Sequence, residues 1–273
     1  AASDVYKRQG LERAPTSPRT LFVSDDKGVT HASVVSGIGP YLVPGANVIV
    51  SPRPDNPGDR AKVVWGNKPT DGGFLFLDFY ERKRLLTEYP DARRYVRRFL
   101  GAKEFIQGGE RYCLWISDDD AGAARAIPII AERLSHVAAF RAQSKSAETR
   151  PSAAYPHRFR QVQGVGEEYV FVIATHSSEA RPYLPVGVQD SSTVVGNHNF
   201  AAYDAPLWNM AILASKLHLV WIGAVCGKIK TDYRYSNILG WNTFPIPPLT
   251  AQNKADLTPV SYTHLTLPTI LRV

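Results

Sequence analysis

Short apolar runs punctuated by glycine and proline, interleaved with helical periods, predict an α+β chain. The expected build is short mixed β-sheets covered by helices, with one long core helix near the C-terminus. Three observations carry that expectation. Tyr169-Val-Phe-Val-Ile-Ala174 is an unbroken β-branched and aromatic run of strand length. Asp-Gly-Gly at 71–73 supplies the positive φ angles of a tight reversal, and the apolar run Phe74-Leu-Phe-Leu77 follows it. Behind Pro206, the residues Leu207, Met210, Leu213, Leu217, Val220, Trp221 and Val225 recur at three- and four-residue spacing, the stripe of a continuous helix.

In chain order, Thr20-Leu-Phe-Val-Ser24 reads as a strand before the Asp-Asp-Lys-Gly turn, and Asn47-Val-Ile-Val50 as a second. Ser51 to Gly58 is a proline- and glycine-rich loop. From Asp78 the period turns helical around Leu85 and Leu86. Asp91 to Leu100 reads as another helix, with Arg93, Arg94, Arg97 and Arg98 on its outer face. Arg111 to Ile116 is a buried strand closed by Asp118 to Asp120, and Ala121 to Phe140 a helix breached early by Pro128. Thr175 to Tyr183 is a polar loop; Tyr183 to Val188 and Thr193 to Val195 are extended. Gly227 stands where the long helix would be capped.

The chain has 273 residues, 44% of them hydrophobic, enough to bury a sizeable core in one large or two small domains. A formal net charge of +7 favours an anionic partner. Cys113 and Cys226 lie far apart in apolar runs and read as buried thiols of a cytoplasmic protein, not as a disulfide or zinc framework. No apolar run reaches the roughly 18 residues of a membrane helix, and the first residues lack the apolar core of a secretory signal.

Familiar catalytic motifs are absent from the sequence. There is no phosphate-binding loop, no Gly-x-Ser-x-Gly elbow and no His-Glu-x-x-His pair. Gly37-Ile-Gly39 runs into Pro40 and does not complete a dinucleotide loop. Asp55 and Glu81-Arg-Lys83 have the spacing of a metal nuclease core, but they fall in a loop and on a surface helix, whereas such carboxylates must converge on one ion. His218, on an apolar stripe, reads as a core histidine. No catalytic residue, metal site or cofactor is assigned to this chain.

What the sequence does offer is a basic and aromatic stretch after the long helix. Lys228, Lys230, Tyr233, Arg234, Tyr235 and Ser236 follow one another within a few residues, and Phe244-Pro245 closes the stretch. Cations beside flat rings suit a nucleic-acid backbone and its bases. The loop with His176, Ser178, Glu179 and Arg181 adds most kinds of base-edge hydrogen-bonding group. Lys145 and Arg150 are secondary candidates. A rival reading makes this surface a protein–protein docking or specificity subunit without direct DNA contact, its aromatics forming the interface.

Several local patterns bear on both readings, and the docking alternative stays open beside them. Gly66-Asn-Lys-Pro-Thr-Asp-Gly-Gly73, Arg98-Phe-Leu-Gly-Ala-Lys-Glu-Phe-Ile106 and Arg111-Tyr-Cys-Leu-Trp115 come first. Phe140-Arg141, Ser144-Lys145 and Thr149-Arg150 follow, then Ser215-Lys-Leu-His-Leu-Val-Trp221, Asp232-Tyr-Arg-Tyr-Ser236 and Asn242-Thr-Phe-Pro245. Together, from about Ser36 to Pro248, they resemble the target-recognition region of MmeI-like (type IIL) single-chain restriction–modification enzymes. That resemblance implies sequence-specific recognition of double-stranded DNA in a bacterial or archaeal cytoplasm. It also implies a parent enzyme whose upstream domain methylates adenine with S-adenosylmethionine and whose nuclease uses Mg²⁺. The methyltransferase motifs themselves are missing here; Ile246-Pro-Pro-Leu249 is not one.

The expected domains follow. Residues 1–9 and the end of the 249–273 segment resemble translated sequencing-adapter tails of metagenomic reading frames. Residues 10–58 would be the end of a preceding domain or a linker, and 59–248 the recognition domain.

Overall fold

The structure is a computed structural model. It describes residues 19–24, 28–39, 41, 43–45, 48–56 and 58–266, with side chains through residue 261. The expected tail at residues 1–9 lies outside the described residues. Helices and four small sheets alternate, an α+β build.

The chain divides into two compact units, both discontinuous in sequence. One collects residues 59–175, 185–212 and 250–273, the other residues 1–58, 176–184 and 213–249.

The first unit contains two four-stranded sheets. One is mixed and orders β10 (Thr193–Val195), β5 (Val96–Leu100), β6 (Tyr112–Leu114) and β4 (Phe76–Leu77), with β10 and β5 parallel and the other pairs antiparallel. The other is antiparallel and orders β3 (Val64–Trp65), β11 (Asn199–Tyr203), β7 (Tyr169–Ala174) and β9 (Val186–Asp190). The reversal before β4 uses Gly72 and Gly73 at φ 68° and 91°. Helix α1 (Phe79–Glu88) begins with a capping box, Glu81 N donating to Asp78 and Asp78 N to Glu81. Leu75, Leu77, Leu85, Tyr95, Phe99, Leu114, Ile130 and Leu134 form the core. Helices α2 (Ala102–Gln107), α3 (Ala121–Arg125) and α4 (Pro128–Ala142) complete this unit together with α7 (Ala251–Thr266). Pro128 starts α4, so the expected breach is a new helix start. Helix α7 runs on through Pro259, and Ser261 Oγ donates to the Leu207 carbonyl at 2.7 Å.

The expected helix over 91–100 is instead a 3₁₀ turn, Pro90–Tyr95, followed by strand β5. Pairing with β6 and β10 on both edges outweighs local helix propensity there. Arg97 and Arg98 accordingly leave the solvent row and donate to Ser191 O and Gln189 Oε1.

In the second unit, β1 (Arg19–Ser24) pairs antiparallel with β2 (Thr30–Val35). Of the expected strand over 47–50, Asn47 lies outside the described residues, and residues 48–50 form no strand with any described neighbour; Val50 N donates to Tyr41 Oη. The single long helix is corrected to two: α5 (Trp208–Leu213), of which Leu213 alone falls in this unit, and α6 (Lys216–Val225). Ser215 takes an extended ψ of 151° and its hydroxyl accepts from His218 N, so a fresh N-cap interrupts what side-chain spacing alone makes continuous. Among the described residues no helix is long and apolar enough to cross a membrane.

Candidate nucleic-acid interface

Helix α6 ends at Val225 and is capped by Cys226 in an extended conformation, one residue before the expected Gly227, whose carbonyl accepts from Arg234 N. Strand β12 (Lys228–Ile229) then pairs antiparallel with β13 (Asp232–Arg234), joined by Lys230 and Thr231. Lys230 stands at φ 56°, a region that costs most residues with a Cβ of order 1 kcal/mol or more.

The third strand of this sheet comes from a distant part of the chain. β8 (His176–Ser177) pairs with β13, Tyr233 opposite Ser177 and Arg234 opposite His176. The two stretches singled out in the sequence are thus neighbours on one sheet. Because paired residues share a face and successive residues alternate, the sheet has two distinct sides. Lys228, Tyr233 and Ser177 share the inner side. Ser177 is buried, and a Cβ at Gly223 of α6 would lie 3.1 Å from the Tyr233 ring. The Lys228 ammonium lies 5.1 Å from the centroid of that ring. Ile229, Asp232, Arg234 and His176 share the other side, and all four are exposed.

The remaining candidates divide clearly. Lys230 is exposed at the hairpin tip. Ser178 and Glu179 are exposed and Arg181 partly so, in a turn where Arg181 N donates to Ser178 O. Ser236 caps the turn Asn237–Trp241 through Leu239 N. Tyr235 is buried at 3% exposure, so its aromatic ring does not line the surface as the basic–aromatic pattern suggested. It packs edge-on to His218, which also lies against Trp241 and Phe244. His218 is fully buried, with Nδ1 2.8 Å from the Leu213 carbonyl: a core histidine. Lys145 and Arg150 belong to the other unit and are exposed; Arg150 Nη1 donates to the carbonyls of Ser144 and Lys145.

Alternation read backward from Arg234 would have placed Asp232 on the same face, but Ile229 joins it only through its pairing with Asp232 across the hairpin. Pairing with β8 had no such signal.

Among the described residues no group of three His, Cys, Asp or Glu side chains could hold a metal ion. Glu81 is committed to its capping box and to an ion pair with Arg133. Burial pushes the Cys226 thiol up to about 11 and the Cys113 thiol well above its usual range.

Comparison with known proteins agrees with the geometry. The family model described as MmeI, target recognition domain, matches residues 44–248. DNA methyltransferase A of Bacillus subtilis (strain 168) is 38% identical over 237 residues, covering 87% of this chain and 26% of that protein. The type IIL restriction–modification enzyme MmeI, solved in complex with DNA, superposes with a TM-score of 0.82 at 29% identity, covering 91% of this chain and 33% of that one. The chain therefore spans about a quarter of the first relative and a third of the second. It belongs to the MmeI target recognition domain family and is a recognition module of the restriction–modification kind.

Proposed function

We propose that this module reads the sequence of double-stranded DNA through the exposed side of the β12–β13–β8 sheet and the loop that follows β8. The observation that carries this is the pairing of Arg234 with His176, which places a cation next to the polar 176–181 turn on one open face. Phosphate contacts fix register and base-edge contacts specify sequence, so an interface needs both kinds side by side. Lys230 and Arg234, with Lys228 at the hairpin's edge, grip phosphates. His176, Ser178, Glu179 and Arg181 reach base edges. Tyr233 supports the sheet from beneath, Tyr235 the core behind it, and Ser236 the turn that follows. Lys145 and Arg150, in their own unit, are further phosphate-contact candidates. The DNA-bound state of the MmeI structure supports the choice of DNA.

The chain acts, in this reading, within a longer cytoplasmic enzyme whose upstream methyltransferase domain uses S-adenosylmethionine on adenine and whose nuclease uses Mg²⁺. The name of the Bacillus subtilis relative supports the methyltransferase part. To test recognition, the purified chain is titrated with labelled duplex DNA at rising salt. Each phosphate contact contributes about −0.9 to the slope of log K against log salt, so several contacts give a steep loss. A binding constant indifferent to salt would sink the assignment.

A further inference from the structure

We infer that Arg141 is a positioning residue that holds the segment 144–158 in a preformed, phosphate-gripping arch; this rests on the recognition reading above. Arg141 lies in the last turn of α4 and is 1% exposed, yet no carboxylate forms an ion pair with it among the described residues. All five of its N–H donors go to backbone carbonyls. Nε donates to Thr70 O at 2.9 Å and Nη2 to Pro69 O at 2.9 Å. Nη1 donates to Ser152 O at 3.0 Å and Tyr155 O at 2.9 Å, and Nη2 also to Arg158 O at 2.7 Å.

Burying a cation is costly, and hydrogen bonding of the whole guanidinium offsets that cost, assisted by the charge of the nearby buried Asp71. A hydrophobic side chain would fill the space without that cost. What it could not do is gather three carbonyls of an arch whose only regular structure is one 3₁₀ turn, Arg150–Ala154, and tie them to the 69–70 turn. Nor could lysine, with three donors on one atom.

The arch has a use for such rigidity. From Arg141 to Arg160 the sequence holds five cationic residues and a single carboxylate, a balance that selects an anion and disfavours a basic or apolar partner. Lys145, Arg150 and Tyr155 are exposed, and Arg158 stacks on Tyr155 at 4.9 Å. Arg150 holds the Lys145 carbonyl, so the two cations keep company. Fixing a loop before binding removes the ordering cost that a mobile lysine and arginine would otherwise incur on DNA.

The test measures anisotropy of a fluorescein-labelled, mixed-sequence duplex against salt, using the full chain. Lys145→Ala/Arg150→Ala should flatten the log K against log salt slope by about 2, one unit per lost phosphate. Arg141→Met should flatten it by a similar amount although both cations remain. Arg141→Lys, which keeps the charge and loses the fork, should not restore it. Hydrogen exchange at amides 144–158 should rise in both Arg141 variants. A folded Arg141→Met protein with the wild-type slope, or full rescue by lysine, overturns the inference. If neither variant folds, the wild-type protein decides: DNA should slow exchange across 144–158, and no protection there overturns it. Absence of any salt-dependent binding by the wild type defeats the recognition reading itself.

Discussion

Arg234 and His176 face each other across the β13–β8 pair, from segments that lie far apart in sequence, and both side chains are exposed. A directly opposed pair has Cβ atoms about 5 Å apart, so one DNA region can touch both at once. Arg234→Ala should flatten the salt slope by about 1. His176→Ala should leave the slope and instead relax one position of the consensus recovered by selecting bound duplexes from a random pool. The double variant should depart from additivity by about 0.5 kcal/mol or more, as neighbours do. Fully additive effects would mean that the two residues work at separate places.

Ser215→Ala should cost about 0.5–2 kcal/mol of stability, read from urea unfolding followed by circular dichroism. The hydroxyl accepts from His218 N at the start of α6, and alanine leaves that donor without its cap. The residue is also what separates α5 from α6. An unchanged midpoint would mean that the break is held by packing of the flanking helices and not by the cap.

Gly66→Ala should be severely destabilising. A Cβ there would stand 2.3 Å from the carbonyl oxygen of Gly196 and 2.7 Å from that of Val195, both backbone atoms that cannot swing aside. Gly73→Ala meets nothing within 4 Å but sits at φ 91°, so its cost is backbone strain alone, of order 1 kcal/mol or more. Thermal unfolding of the two variants should therefore separate, with Gly66→Ala far the lower.

The same physics decides how much of the molecule its sequence discloses. β7 is legible because Tyr169 to Ala174 is all β-branched, aromatic or small. β11 is not, because its Ala201 and Ala202 carry no strand preference and become strand only between β3 and β7. The hairpin at Lys230 hides for a related reason: its tip lacks the Gly or Asn that ordinarily marks such a turn. Both chemical halves of the candidate interface stand out as polar and basic stretches. Their union on one sheet does not, since register between distant strands is a tertiary property. Tyr235 shows the converse, an aromatic flanked by cations that serves the core.

Neither cysteine should react in the folded protein. Both are buried, and desolvation raises each thiol, Cys226 to about 11, so at pH 8 the thiolate is scarce as well as covered. Ellman's reagent should find no fast thiol under native conditions and two after denaturation. A rapid native burst of one equivalent would show that the end of α6, where Cys226 caps the helix, opens readily.

Asp118 should give the protein an acid-sensitive component of stability. The hydrogen bond from His157, 2.7 Å from its Oδ1, holds the carboxyl below its ordinary value; partial desolvation opposes this and the Arg158 charge assists it. A carboxylate depressed in the folded state stabilises at pH above its unfolded value, about 3.9, and loses that contribution as pH falls through the folded value. The wild type and Asp118→Asn should therefore differ in melting temperature at neutral pH and converge on acidification between about pH 5 and pH 1. Asp118 is exposed, at 62% side-chain exposure, although His157 is buried at 8%, so the contribution is screened by salt. Repeating the comparison at high salt should narrow the neutral-pH gap. A gap that persists undiminished into acid would show that asparagine acts there through packing and not through the lost charge.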